Sequence, residues 1–362
     1  MQINQLVIAH FRNITNAQLE PSRHVNIIYG ENGSGKTSVL EAIYSLGFGR
    51  SFRTHQVRQV VQDENEALTL FTRVQDAEDG EMQKVGFRRF RNGDTEIRMN
   101  GESEKRFSLL AKLMPIQLIT PEGVTLVTDG PKERRQYMDW GLFHVEQSYY
   151  PQWLTFSRLL KQRNSLLKQR SYHQQGGAYW DQQLATAGEA VTKSRAAYLT
   201  GLNRQLNKYC QQFLPQYEFE FRLLQGWQEQ QTLSEALAAK LELDLRQGFT
   251  SVGPTKAEWQ IRVDGVDARE RLSRGQLKLL VAALRLVQSA DYAERLGKRC
   301  VILVDDLPAE LDADNQQRLC NALLESGSQV FITAIRKEEL QHRFENAEVR
   351  LFHVEQGTIK ND

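Results

Sequence analysis

The residues best suited to chemistry lie in VNIIYGENGSGKTSVLEAI, where Gly30, Gly33, Gly35, Lys36 and Thr37 fall into the spacing GxxxxGK(S/T). The segment has the required context, an apolar run before the loop and a helical run after it. The glycines let the backbone across Gly30, Glu31, Asn32, Gly33, Ser34 and Gly35 curl until its N–H groups face phosphate oxygens. Lys36 then reaches the β- and γ-phosphates, which makes it a catalytic as well as a binding candidate, and the Thr37 hydroxyl is placed for Mg²⁺. The chemistry expected is binding of a nucleoside triphosphate.

A loop of this kind needs a second metal anchor at the end of a neighbouring strand. CVILVDD, residues 300–306, offers one, because a continuous apolar run suits a strand buried on both faces. Asp305 is expected on the Mg²⁺ side and Asp306 beside it, to orient or deprotonate an attacking water. Farther on, AELD ends in Asp312, placed to contact a partner surface from a turn. A third segment, RLSRGQLKLLVAALRLV (271–287), carries Leu277, Leu280, Val281, Leu284 and Val287 at helical spacing. Ser273 and Gln276 fit a capping box at its start. Arg274 and Gly275 inside that box make a small, open first turn, which is a ready anion site.

The elements that must hold these residues read as an α/β pattern with a helical interruption. Strands are expected at QLVIAHF and VNIIY, then a helix from Gly35 to about Leu46 with Gly47 as its C-cap. Residues 66–107 read as antiparallel β-structure with two Asn-Gly hairpin signals, at 92–93 and 100–101. From about Lys132 to Leu214 the pattern is helical, and Leu184, Val191, Tyr198, Leu202, Tyr209 and Phe213 fit one helix of about 32 residues, roughly 48 Å. A strand follows at 217–223, then a helix begun by a Thr232–Glu235 capping box. The β/α alternation returns with strands at EWQIRVDG, CVILV, QVFITAI and VRLFHV. The domains expected are therefore an ATPase-type lobe from 1–115 plus 295–362 and an inserted, mainly helical lobe from 116–294 that carries LSRGQ.

Composition narrows the class without choosing it. The 362 residues carry a formal net charge of +1, so any polyanion partner must be met by local charge. Three widely spaced cysteines and no membrane-length apolar run point to a reduced, cytoplasmic protein, and the histidines show no metal-ligand spacing. Between Glu146 and Asp181 there is no acidic residue, while Arg158, Lys161, Arg163, Lys168 and Arg170 lie inside, backed by Trp153, Phe156, Leu160 and Leu167. This helix is the leading candidate for tracking DNA phosphates. Arg50, Arg53 and Arg58 form a second basic cluster, and Arg88, Arg89 and Arg91 a third.

Phosphate loop, LSRGQ, VILVDD and AELD, in that order, resemble the ATP-binding-cassette ATPases. FRN at 11–13 in the first hairpin is similar to the start of the SMC-like chromosome and repair ATPases, here without their long coiled coil. The strings GENGSGKTSVLEAIYSLGFGRSFR, LITPEG, DGPKERRQYMDWG, LKQRN, LSRGQLKLL and DDLPAELD look like the recombination-mediator branch of that family. The resemblance implies ATP and Mg²⁺ as cofactors and an ATP-dependent homodimer. In that dimer Ser273, Arg274, Gly275 and Gln276 of one copy meet the γ-phosphate held by the other. It further implies a weak, DNA-stimulated ATPase acting as a switch at single-stranded, gapped or duplex DNA. Such a protein helps RecO and RecR to load RecA and supports SOS induction, with no membrane partner.

Two positions depart from wider cassette patterns: Asp306 stands where transporters and SMC proteins carry Glu, and Thr333 where a γ-phosphate-sensing histidine is expected. The Q-loop candidate is Gln117. The rival readings are an SMC-like ATPase with a non-DNA partner and a transporter's nucleotide-binding subunit. A third is a scaffold for RecR whose hydrolysis is incidental.

Overall fold

The computed structural model describes residues 1–76, 80–306, 311–345 and 347–362. The chain forms two units, one of residues 1–123 with 278–362 and one of residues 124–277.

In the first unit, β1 (Gln2–Phe11) and β2 (Ile14–Leu19) form a hairpin whose turn is Arg12–Asn13, followed by β3 (Val25–Tyr29) and α1 (Lys36–Phe48). Then come β4 (Ala67–Gln75), β5 (Met82–Phe90), β6 (Thr95–Met99), β7 (Glu102–Glu104), α2 (Phe107–Leu113) and β8 (Ile116–Ile119). The expected antiparallel region is present as a sheet of order β2-β1-β4-β5-β6-β7. Both Asn-Gly dipeptides lie in its tight turns, with Gly93, Asn100 and Gly101 at positive φ. α1 ends two residues beyond the expected Leu46, with Gly49 as its C-cap. Gly47 is instead a point of close approach, where a Cβ would lie 2.7 Å from Ile116 and 2.8 Å from the Met114 carbonyl.

The second unit holds α3 (Thr125–Thr128), α4 (Pro131–Val145), α5 (Tyr149–Lys168) and α6 (Gly177–Phe213). It continues through β9 (Phe219–Leu224), α7 (Leu233–Gln247), β10 (Glu258–Val263), β11 (Val266–Asp267) and α8 (Ala268–Arg271). α6 has 37 residues, roughly 55 Å at 1.5 Å per residue. Its buried stripe contains all six expected residues, Leu184 through Phe213. The Thr232–Glu235 capping box is formed on both sides, at 3.2 and 2.9 Å. Its three strands, in the order β11-β10-β9, include the two expected at 217–223 and EWQIRVDG, here β9 and β10.

α9 (Arg274–Leu296) leads back to the first unit, followed by β12 (Val301–Val304), α10 (Ala313–Glu325), β13 (Gln329–Ala334), α11 (Glu338–Gln341), β14 (Val349–Glu355) and β15 (Thr358–Asn361). These strands join β3 and β8 in a second sheet of order β15-β14-β3-β13-β12-β8, parallel except for the β14–β15 hairpin. The unit boundaries differ from those expected for a physical reason. β8 pairs residue by residue with β12, so 116–123 belong with the parallel sheet, and α9 from Lys278 onward packs there too. A hydrophobic cluster draws on both sheets, with Val39, Leu40, Ala42, Ile43 and Leu46 of α1 fully buried in it.

Candidate functional site

The phosphate-loop sequence spans the turn from β3 into α1. Gly30 and Gly35 sit at φ 151° and 119°, a region closed to most side chains. Space enforces the same choice: a Cβ on Gly30 would lie 2.2 Å from the Val354 carbonyl, and one on Gly35 would lie 3.0 Å from the Asn13 amide. Asn13 clasps the loop, donating from Nδ2 to the Ser34 carbonyl at 2.9 Å and accepting from the Ser38 hydroxyl at 3.1 Å. Gly357, in the β14–β15 turn, donates its N–H to the same Ser34 carbonyl at 2.7 Å. The loop is thus held from two sides.

Lys36 is buried, and its Nζ donates to the Gly30 and Glu31 carbonyls at 2.7 and 3.0 Å. Burial holds its ammonium below the usual lysine range, partly offset by the Asp306 and Asp305 carboxylates. Parallel pairing of β12 with β13 brings Asp305 beside Thr333. Thr37 Oγ1 donates to Asp305 Oδ1 at 3.1 Å, and Thr333 Oγ1 donates to the same oxygen at 2.8 Å. Burial raises the Asp305 pKa, the two hydroxyls opposing it. Thr333 Oγ1 also accepts from the Asp306 N–H at 2.7 Å, and Asp306 itself sits at φ 50°. Such backbone is strained for a non-glycine residue, and strain of this kind gathers at functional sites.

Lys36, Thr37, Asp305, Asp306 and Thr333 line one cavity of about 970 Å³ together with Asn13. That volume suits a nucleotide-sized ligand. The residues fit a Mg²⁺ ion shared with phosphate: one hydroxyl and one carboxylate, 3.1 Å apart, face the cavity. Mg²⁺ in such sites takes few protein ligands and completes its shell with phosphate oxygens and water.

The opposite wall was not foreseen. Arg12, at φ 53°, reaches under the loop and grips Glu41 of α1 with two bonds, at 3.0 and 2.6 Å, and its third nitrogen donates to the Gln59 carbonyl at 2.8 Å. Glu41 is fully buried and also accepts from the Ser51 hydroxyl. The available signal was an acid inside an otherwise apolar helix, three residues after Ser38. Arg53, within 3.8 Å of Glu41, and Arg58 also line the cavity.

Other candidates lie elsewhere. Gln117 is buried in mid-strand and donates to Gln288 at 3.3 Å, so it does not reach the cavity, whereas Glu122 beyond the same strand does. Asp312 caps α10, accepting from the Asn315 N–H at 2.9 Å and from its side-chain amide at 2.6 Å. Those donors hold the exposed Asp312 carboxyl below its ordinary range. Residues 307–310 of the DDLPAELD segment lie outside the described residues. The Ser273–Gln276 box is formed, with bonds of 2.9 and 3.4 Å. Ser273, Arg274 and Gly275 are exposed, and a Cβ on Gly275 would meet no atom within 4 Å.

The basic helix α5 needs one correction. Arg163 is fully buried, bonded to Asp181 and Asp244 at 2.7 Å each and to Thr250 at 2.9 Å. It is no DNA contact, because its donors are committed inside the unit. Seven residues after Phe156 and four before Leu167, it occupies the apolar phase of the helix, which was the overlooked signal. Arg158, Lys161 and Lys168 are exposed on the opposite stripe, and Arg170 is exposed just past the helix end. The apolar backing also differs: Phe156, Leu159, Leu166 and Leu167 are buried, whereas Trp153 is 37% exposed. In the third cluster Arg89 bonds the Gly49 carbonyl and Arg91 bonds the Asn65 and Gln62 carbonyls at 2.7 and 2.8 Å. Only Arg88 of that trio is exposed.

A phosphate loop on a mostly parallel sheet, joined to an antiparallel sheet and interrupted by a helical unit, defines the head of an SMC-like P-loop ATPase. The family model for the RecF/RecN/SMC N terminal domain matches residues 2–360. The DNA replication and repair protein RecF of Shewanella piezotolerans is 45% identical over 359 residues, 99% of each chain. RecF of Shewanella loihica is 45% identical over 360 residues, again 99% of each. The chain belongs to the RecF family. A solved structure of the recombination mediator protein RecF-ATP in the RecFOR pathway superposes with TM-score 0.88 at 28% identity, covering all of this chain and 97% of the other. Its RecF-ATPrS counterpart gives 0.85, covering 99% and 97%. An SmcHead bound to the C-winged helix domain of ScpA, at 15% identity and TM-score 0.59, shares the fold over all of this chain and 97% of that one. Among the described residues no helix is long and apolar enough to cross a membrane.

Proposed function

We propose that this chain is an ATP-dependent DNA-binding protein of recombinational repair and replication-fork maintenance, acting in the cytoplasm as a dimeric clamp at gapped DNA. The observation that carries the ATP part is the convergence of Lys36, Thr37, Asp305, Asp306 and Thr333 on one cavity. Thr37 and Asp305 would hold Mg²⁺, which when bound screens phosphate charge and fixes the triphosphate in line for attack. Lys36 exchanges its bonds to the Gly30 and Glu31 carbonyls for phosphate oxygens. Asp306, fixed by its N–H bond to Thr333, orients the attacking water. A carboxylate one methylene shorter than Glu reaches that water less well, in keeping with a slow switch.

The exposed Ser273–Gly275 turn supports a shared nucleotide. It opens a 23-residue helix, and its free N–H groups suit an anion supplied by a second copy. Asp312, exposed at the cap of α10, would contact the second copy. ATP drives closure because the closed pair binds it more tightly than the open monomer does. Closure orders a DNA surface that includes Arg158, Lys161, Lys168 and Arg170. Similarity to RecF proteins of the RecFOR pathway supports RecO and RecR as partners in RecA loading, with SOS induction downstream. The experiment is ATP turnover measured with and without gapped DNA. Turnover that DNA stimulates and Asp306→Asn abolishes supports this function; turnover indifferent to both refutes it.

A further inference from the structure

The antiparallel sheet of the first unit buries one face and leaves the other in solvent. Leu6, Leu70, Val85, Phe87 and Ile97 fill the buried side. On the other side, register sets Arg73 directly opposite Lys84, Thr69 opposite Arg88, and Phe71 opposite Gly86, which is in turn opposite Arg98. All four cations are exposed, and Glu96, opposite Arg88, is the one acid on this face of β1, β4, β5 and β6. Arg88 lies over the Phe90 ring at 4.7 Å, but no described residue gives Arg73, Lys84 or Arg98 a side-chain hydrogen bond or ion pair.

Like charges set directly across strands destabilise a sheet, so Arg73 beside Lys84 costs the fold stability that nothing on this face returns. Arg98 worsens the repulsion, being the diagonal neighbour of both Lys84 and Arg88. Gly86 is the position at the centre of the four cations, and the half-buried Phe71 lies directly across from it on β4. Gly86 presents bare backbone, where a Cβ would meet only Arg98 Cβ, at 3.8 Å. No side chain from position 86 therefore covers the β5 side of Phe71.

We propose that this sheet face binds single-stranded nucleic acid, its phosphates on Arg73, Lys84 and Arg98 and a base stacked on Phe71. Aromatic rings set among cations are how proteins hold single strands without reading sequence. A six-stranded face is too broad for the major groove of a duplex, which admits a helix or a two-stranded ribbon. The proposal deepens the DNA-binding reading above and rests on it.

The test is fluorescence anisotropy with labelled oligothymidine and with a blunt duplex, across a salt series, on the full-length protein. The Arg73→Ala, Lys84→Ala, Arg98→Ala triple variant is expected to bind oligothymidine about tenfold or more weakly, with the slope of log affinity against log salt reduced by about 2. Phe71→Ala is expected to weaken it about fivefold or more with the slope unchanged. Duplex affinity and nucleotide binding should hold in both variants. An unchanged slope in the triple variant, with wild type binding DNA, removes this face while leaving the DNA-binding reading standing. Equal losses on duplex, or displacement of the strand by polyglutamate at matched charge, also overturn it. Wild type that binds neither DNA form sinks the DNA-binding reading and this proposal together.

Discussion

Thr37 and Asp305 are 268 positions apart in the chain and 3.1 Å apart in the fold, the threonine hydroxyl donating to the carboxylate. That bond joins the start of α1 to the end of β12 and sets the metal side of the nucleotide cavity.

Burial disfavours the ionised Asp305 carboxylate, and the Thr37 and Thr333 hydroxyls offset that only in part. Its pKa is raised by burial, so its contribution to stability is present below the ordinary carboxylate range and is lost as pH rises through the raised value. Asp305→Asn should therefore raise the melting temperature of nucleotide-free protein at pH 7 by about 2–4 °C. The advantage should shrink toward pH 4, while ATP affinity in Mg²⁺ falls. Thermal melts of both proteins across pH check it; no advantage at pH 7 contradicts the assignment.

Asp306→Asn leaves the backbone bond to Thr333 in place and removes the group that orients water. We expect turnover to fall by roughly 100-fold or more with ATP still bound. Lys36→Arg should instead weaken binding itself, because a planar guanidinium cannot lie along the loop carbonyls as the ammonium does. Separate titration of affinity and single-turnover rate distinguishes the two.

Arg12 and Glu41 make the second anchor beneath the loop. Arg12→Ala leaves the fully buried Glu41 only the Ser51 hydroxyl and Arg53 at 3.8 Å, and should cost about 3 kcal/mol, with loss of ATP affinity. Lysine should not rescue it, because the two-pronged bond requires a guanidinium. Urea melts of the two variants provide the comparison.

Arg163→Ala should likewise cost about 3–5 kcal/mol, since Asp181 and Asp244 lose their common partner inside the second unit. The salt slope of DNA binding should stay as in wild type. Removing Arg158, Lys161 and Lys168 should flatten it with little loss of stability.

Much of this was legible in sequence because local patterns and tertiary structure agree. Gly30, Gly35, Lys36 and Thr37 announced their loop, and VILV ending in Asp305 and Asp306 announced its neighbour. The six-residue stripe of α6 was read correctly. What escaped depends on pairing between distant segments. Gln117 looked like a loop residue because nothing local shows that β8 pairs with β12. Arg163 looked solvated because its two aspartates lie 18 and 81 residues away. Asn13 and Gly357 hold the phosphate loop from opposite ends of the chain, which no local window contains.

The central claim is a nucleotide shared between two copies, and the direct measurement is mass in solution by sedimentation. We use Asp306→Asn, which should keep ATP intact, with Mg²⁺, ATP and gapped DNA present. The 41.7 kDa chain should pair with ATP, stay single with ADP, and fail to pair when Ser273→Arg is added. Protein that remains single with saturating ATP and DNA, or pairs equally well with the Ser273 change, contradicts it.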